Sequence, residues 1–121
     1  MIYKQFQNIK LSALGLGAMR LPVIDEEAAA EMSACAMEKG INYYDTAYGY
    51  HGGQSEIVTG RLLSRYPRES FFLASKFPGY DLSNVPKIET IFEEQLQKSG
   101  VDYFDFYLFH NVCEMNVEGL S

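Results

Sequence analysis

The feature that most limits what this chain can fold into is a repetition. Three apolar or aromatic segments, Ile41–Asp45, Ser70–Lys76 and Tyr103–His110, each close on an unlike titratable side chain. They recur at intervals of roughly 30 residues, the length of a strand plus its crossover helix. Asp45, Lys76 and His110 therefore end three successive strands. These strands lack strict polar–apolar alternation and their connections are short, which argues for a parallel sheet covered by helices. Whether such a sheet is open or closed into a barrel, its active site lies at the C-terminal strand ends.

The segments between the strands read as helices. Asp25 can cap the first, which carries Glu26 and Glu27 where the helix dipole favours acids and has Ala28, Met32, Cys35 and Ala36 at helical spacing. Lys39 and Gly40 end it. Ser55 can cap a second helix with Val58, Leu62 and Tyr66 as apolar members, Arg61 and Arg65 toward its end and Pro67 as its stop. Ser83 or Asn84 can cap a third, with Pro86 in its first turn, Ile88, Ile91, Phe92 and Leu96 as a buried stripe, and Gly100 beyond its end. An earlier apolar run, Leu14 to Met19, supplies one more strand, and its Gly15 and Gly17 allow close approach on one face. Residues 2–11 alternate loosely around Gln7-Asn8 and predict a hairpin. The result is one domain over 1–121, with βα units over 14–112 and a short tail over 113–121. A doubly wound sheet would fit that length, whereas a (β/α)8 barrel needs roughly 250 residues and would make this chain its first half.

Tyr50 gives the strand ends chemical meaning, because it follows Asp45 in a turn that passes through Gly52 and Gly53. A free phenol titrates near ~10 and releases its proton reluctantly at neutral pH, but an ammonium beside it favours the phenolate. Lys76 can supply that ammonium, and Asp45 can keep it charged if it is buried. A neutral His110 can orient a carbonyl oxygen by hydrogen bonding. The set suits proton donation to an oxygen that gains negative charge, as in carbonyl reduction by a hydride. Each residue alone reads equally well as a cap or a solvated loop side chain; the series of three strand ends plus a tyrosine favours a site.

Other candidates are blander. His51, beside two glycines, reads as a solvated imidazole, and Cys35 as a small core residue. His110 and Cys113 have a spacing that some metal sites use but no second pair, so no metal is expected. Asp102 and Asp105 mark the start of the last strand. Gly15-Leu-Gly17-Ala-Met-Arg20 lacks the third glycine of a dinucleotide fingerprint.

Bulk composition narrows the partners. The 121 residues, 47% hydrophobic, suffice for one core and not for two. Ten Lys and Arg against sixteen Asp and Glu give a net charge of -6, a surface that repels phosphate backbones, so nucleic acid is not expected as a partner. Two distant cysteines imply no disulfide framework. The N-terminus lacks a signal-peptide core, and no run approaches the roughly 18 apolar residues of a membrane span. A cytoplasmic protein without a membrane partner is expected.

These residues also carry a resemblance. Asp45-Thr-Ala-Tyr-Gly-Tyr50, followed by Ser55-Glu56, resembles the aldo-keto reductase signature, in which an acid, Thr or Ser, Ala, two variable positions and Tyr precede a Ser-Glu helix start. Gly15-Leu-Gly17 with Met19-Arg20, the Ser75-Lys76 strand end and Asp105-Phe-Tyr-Leu-Phe-His110 are similar to that family's first, third and fourth strand motifs. The resemblance runs to about Val112 and is closest to the bacterial branch whose longer members often add an iron–sulfur domain. It implies an α/β fold that is the N-terminal half of a (β/α)8 TIM barrel, with four parallel strands, three helices and the hairpin plugging the bottom. It also implies NADPH-dependent reduction of a small aldehyde or ketone.

Carried onto the matching positions, Tyr50 is the general acid, Lys76 the ammonium that assists it, Asp45 the partner of Lys76, and His110 the residue that orients the carbonyl. Met19, Arg20 and Asp45 would face the cofactor. Family members continue through four more βα units that hold most of the cofactor, so the chain reads as a truncated half. A half barrel exposes strand edges and the inner sheet face near Phe72, Phe104 and Phe106, which favours a homo-oligomer. The alternative is a non-catalytic, self-associating fragment that keeps the four residues as inheritance.

Overall fold

The computed structural model describes residues 1–120; Ser121, the last residue of the expected tail, lies outside the described residues. β1 (Tyr3–Phe6) and β2 (Ile9–Ser12) form the antiparallel hairpin, turning through Gln7 at φ 52°. Asn42 ties it down. Its side-chain oxygen accepts from the Ser12 amide at 2.8 Å, and its side-chain amide donates to the Lys10 carbonyl at 3.0 Å. The Phe6 ring lies 5.7 Å from that of Phe106. Asn42 and Phe106 both stand where parallel strands begin, so the hairpin covers the N-terminal end of the sheet.

That sheet contains β3 (Leu16–Gly17), β4 (Tyr43–Asp45), β5 (Phe72–Phe77) and β6 (Phe106–Phe109), hydrogen-bonded in chain order and parallel throughout. The helices are α1 (Glu26–Glu38), α2 (Gln54–Leu63) and α3 (Ile88–Ser99), with a further turn, α4 (Val117–Leu120), inside the expected tail. The strand spacing anticipates a parallel sheet of this kind, and its chain-order pairing agrees with the half barrel that the resemblance implies rather than with a doubly wound sheet. Its strands are shorter than the apolar runs that announce them, and Lys76 stands one residue inside β5 rather than at its end. No helix among the described residues is long and apolar enough to cross a membrane.

Two apolar clusters hold the helices to the sheet: Ala36, Ile41, Tyr44, Leu63, Phe71 and Leu73 in one, and Ala18, Leu21, Ala29, Val58 and Leu62 in the other. Burying a side chain such as Leu62 or Leu73 contributes about 1.5–3 kcal/mol. Below them, Arg68 Nη2 donates to Asp105 Oδ2 at 2.8 Å, which also accepts from the Leu73 amide at 2.8 Å. Asp105 thus locks the start of β6, as its position in the sequence suggests.

The helices differ from expectation in which side they bury. Asp25 caps α1 by accepting from the Ala28 amide at 3.1 Å, but the buried line is Ala29, Ser33 and Ala36, while Met32 and Cys35 are exposed. Cys35 is therefore not a core residue. Small side chains on the inner line let the helix sit close to the sheet. Ser55 does not cap α2; Gly53, at φ 94°, precedes the helix, and the buried Ser55 hydroxyl meets Thr46 Oγ1 at 2.7 Å. The cap of the third unit is Asp81, which accepts from the Ser83 amide at 3.0 Å and starts a 3-10 segment, Leu82–Lys87, containing Pro86. α3 then turns Ile91, Gln95 and Ser99 inward and leaves Ile88 at the surface. Phe104 packs on Phe92 of α3 at 5.9 Å, so it belongs to the helix side of the sheet and not to the inner face.

Candidate active site

Adjacent parallel strands bring the first two groups together. Asp45 closes β4 and Lys76 lies near the end of β5, and Lys76 Nζ donates to Asp45 Oδ2 at 2.7 Å and to the Thr46 carbonyl at 2.7 Å. Their side chains are 29% and 14% exposed, so water screens the pair weakly.

Tyr50 arrives by an unusual turn. His51, Gly52 and Gly53 take φ values of 56°, 62° and 94°, three consecutive left-handed residues, and the two glycines make this affordable. The turn swings the Tyr50 ring against Lys76, whose Nζ lies 4.9 Å from the ring centroid. The ammonium therefore faces the π-surface of the phenol and not its oxygen, a cation–π contact. Among the described residues the Tyr50 hydroxyl has no hydrogen-bond partner.

His110 follows β6, its amide bonded to the Phe77 carbonyl at 3.0 Å. Its ring meets Tyr50 edge-on at 5.6 Å and Tyr80 at 5.4 Å. Burial, then the Lys76 charge, push its pKa below the usual 6.5, with Asp45 opposing. The imidazole is thus neutral at neutral pH, and its Nδ1 is buried without a partner. All four expected groups converge on one hollow. A cavity of ≈ 610 Å³ opens next to it, lined by Tyr80, Leu82, Asn111, Val112, Cys113 and Met115 among others.

Met19 and Arg20 occupy a 3-10 turn, Ala18–Arg20, directly after β3, and both are exposed on the same end of the sheet as the four. His51 is exposed, in keeping with a solvated imidazole, and its Nε2 also lies 3.3 Å from the Ala18 carbonyl oxygen, linking the Tyr50 turn to this segment.

Behind Lys76 lies a polar cluster that the sequence reading missed. Glu56 is fully buried and accepts from Ser75 Oγ at 2.7 Å and from Gln95 Nε2 at 2.9 Å. Gln95 also donates to the Lys76 carbonyl at 2.9 Å, and its own oxygen accepts from the Tyr107 hydroxyl. Burial, then the Glu56 charge, raise the pKa of Tyr107. The available signal was Gln95 itself, four residues after Ile91 and therefore on the buried line of α3.

Known proteins resemble this chain in sequence and in fold. The chain matches the sequence profile of the aldo/keto reductase family over residues 13–117. It is 32% identical over 127 residues to the NADH-specific methylglyoxal reductase of Escherichia coli strain K12, an alignment that covers 85% of this chain and 39% of that protein. The thermostable aldo-keto reductase Tm1743, solved with the inhibitor epalrestat, superposes with a TM-score of 0.80 at 25% identity, covering 99% of this chain and 48% of that one. An aldo/keto reductase from Klebsiella pneumoniae, solved with NADP and acetate, has the same fold at a TM-score of 0.72 and 24% identity, covering 91% and 40%. The chain spans about a third of the length of the curated relatives it matches. With the four-stranded half of a TIM barrel, the motif-bearing strand ends and a profile match over most of its length, this chain belongs to the aldo/keto reductase family.

Proposed function

We propose that the chain carries the proton-transfer half of a carbonyl reductase, acting on a small aldehyde or ketone with NADPH. The observation that supports this reading is the position of Tyr50, flanked by the Lys76 ammonium on one side and the neutral His110 ring on the other. Tyr50 donates its proton to the carbonyl oxygen as negative charge develops there. Lys76 stabilises the phenolate left behind, and Asp45 holds the Lys76 ammonium in place. His110, neutral and short of one hydrogen-bond partner, orients the carbonyl oxygen in the hollow.

The residues present fit the reacting end of a nicotinamide: an unpartnered phenol, an unpartnered imidazole nitrogen and an open rim bearing Met19 and Arg20. Met19, Arg20 and Asp45 would hold that end, and the bound cofactor would supply the hydride. One relative is named NADH-specific and one solved neighbour holds NADP, so both cofactors belong in the test. Titration of the chain with NADPH and NADH, followed by aldehyde-dependent loss of the reduced-nicotinamide absorbance, is the experiment. Hydride transfer is the expected result; no binding of either cofactor would overturn the reading.

A second reading, self-association without catalysis, draws on the edge strand β6, where Leu108 and Phe109 are 44% and 46% exposed. An uncovered apolar edge recruits another strand. Light scattering at micromolar concentration is expected to show a homo-oligomer, and a strict monomer would remove this reading.

A further inference from the structure

Glu56 is a buried carboxylate that the proposed chemistry does not use, and its surroundings give it a task. α2 and α3 cross so tightly that a Cβ on Gly60 would stand 2.1 Å from the Ser99 carbonyl oxygen, an approach that only glycine permits. One turn back on each helix, the same crossing sets Glu56 against Gln95. Glu56 grips Ser75 while Gln95 grips the Lys76 carbonyl. Ser75 and Lys76 point to opposite faces of β5, so this clamp holds, from the helix side, the stretch of backbone that aims the Lys76 ammonium at the hollow.

A second arm reaches the turn that carries Tyr50. Lys98 Nζ is 3.4 Å from Glu56 Oε1 and lies 4.8 Å from the centroid of the Tyr48 ring. The Tyr48 hydroxyl is bonded to Glu94, also on α3, and that bond, ahead of burial, pushes its pKa up to about 12. One helix therefore braces both the strand with Lys76 and the turn with Tyr50.

We propose that Glu56, with Gln95 and Lys98, is a positioning residue that sets the separation of the Lys76 ammonium from the Tyr50 phenol. The proposal rests on the functional reading above. It acts through the strand and the turn, and a misplacement of 1 Å at reacting groups can cost about a hundredfold in rate.

The test uses the 121-residue chain and two readouts, turnover with NADPH and a simple aldehyde, and the NMR signal of the Lys76 ammonium, which needs no turnover. Gln95→Met keeps the side-chain length and removes the amide donors; Ser75→Ala removes only the hydroxyl that donates to Glu56 and accepts from Gln95 at 3.2 Å, and serves if Gln95→Met does not fold. Expected is a fall in kcat per folded molecule of about tenfold to a hundredfold with KM changed by less than about twofold, and a displaced pH–rate profile. The Lys76 ammonium signal is expected to shift and to exchange its protons faster. A folded variant with an unchanged Lys76 signal and an unchanged pH profile would overturn the proposal. If the wild-type chain does not turn over but the Lys76 signal still moves in the variants, the positioning role is upheld and the functional reading alone fails.

Discussion

The two ends of the parallel sheet carry similar side chains and use them differently. At the N-terminal end, Arg68 donates to Asp105 and to the Tyr103 carbonyl at 2.9 Å, and its guanidinium carbon lies 4.0 Å from the centroid of the Tyr103 ring. Asp105 takes up the Leu73 amide, and Asn42 takes up the hairpin. At the C-terminal end Lys76 and Asp45 pair, yet the Tyr50 hydroxyl has no partner among the described residues, and His110 Nδ1 is buried without one. The lower end ties most of its polar groups into structure, with Arg68 Nε alone of that guanidinium buried without a partner. The upper end leaves a phenol and an imidazole nitrogen without partners, which is the difference that the proposed function draws on.

That contrast can be broken by substitution. Tyr50→Phe should have the largest effect: loss of aldehyde-dependent nicotinamide oxidation by about a hundredfold or more, with an unchanged urea midpoint. A variant that keeps its activity but melts early would place Tyr50 on the structural side. Arg68→Ala should do the reverse, lowering unfolding stability by about 2–3 kcal/mol in urea because Asp105 loses its charged partner, while each folded molecule keeps its activity. Asn42→Ala should cost about 1–2 kcal/mol and expose the Ser12 amide to hydrogen exchange, whereas protection that persists would mean the hairpin is held by Phe6 instead.

The smallest effect sharpens the comparison by pH. His110 has a folded pKa below 6.5, so the unfolded chain accepts a proton that the folded chain resists. Stability should decline as pH falls through about 6.5 and level off below the folded value, and His110→Gln should flatten that part of the curve. Thermal melts of both proteins between neutral and mildly acid pH decide it; parallel curves would mean that His110 is solvated like any surface histidine.

Much of this was legible in the residues because the signals are short-range. An apolar run followed by Asp, Lys or His marks a strand end, and Asp25 three residues before the Ala28 amide marks a cap. The helix faces were not legible. Alanines at 28, 29, 30, 34 and 36 leave the periodicity of α1 ambiguous, so the expected stripe through Met32 and Cys35 lies on the solvent side. Ser55 has the right chemistry for a cap but found a buried partner in Thr46.

The existence of the strands, their end groups and the hairpin were determined by the sequence alone, since hydrophobic period and chain punctuation act within a few residues. The tertiary structure decided that the ammonium sits over the face of the phenol, that Asp81 replaces Ser83 as cap, and that Glu56 meets Gln95 across 39 residues. The last of these depends on how closely α2 and α3 approach at Gly60, and no local pattern encodes the distance between two helices.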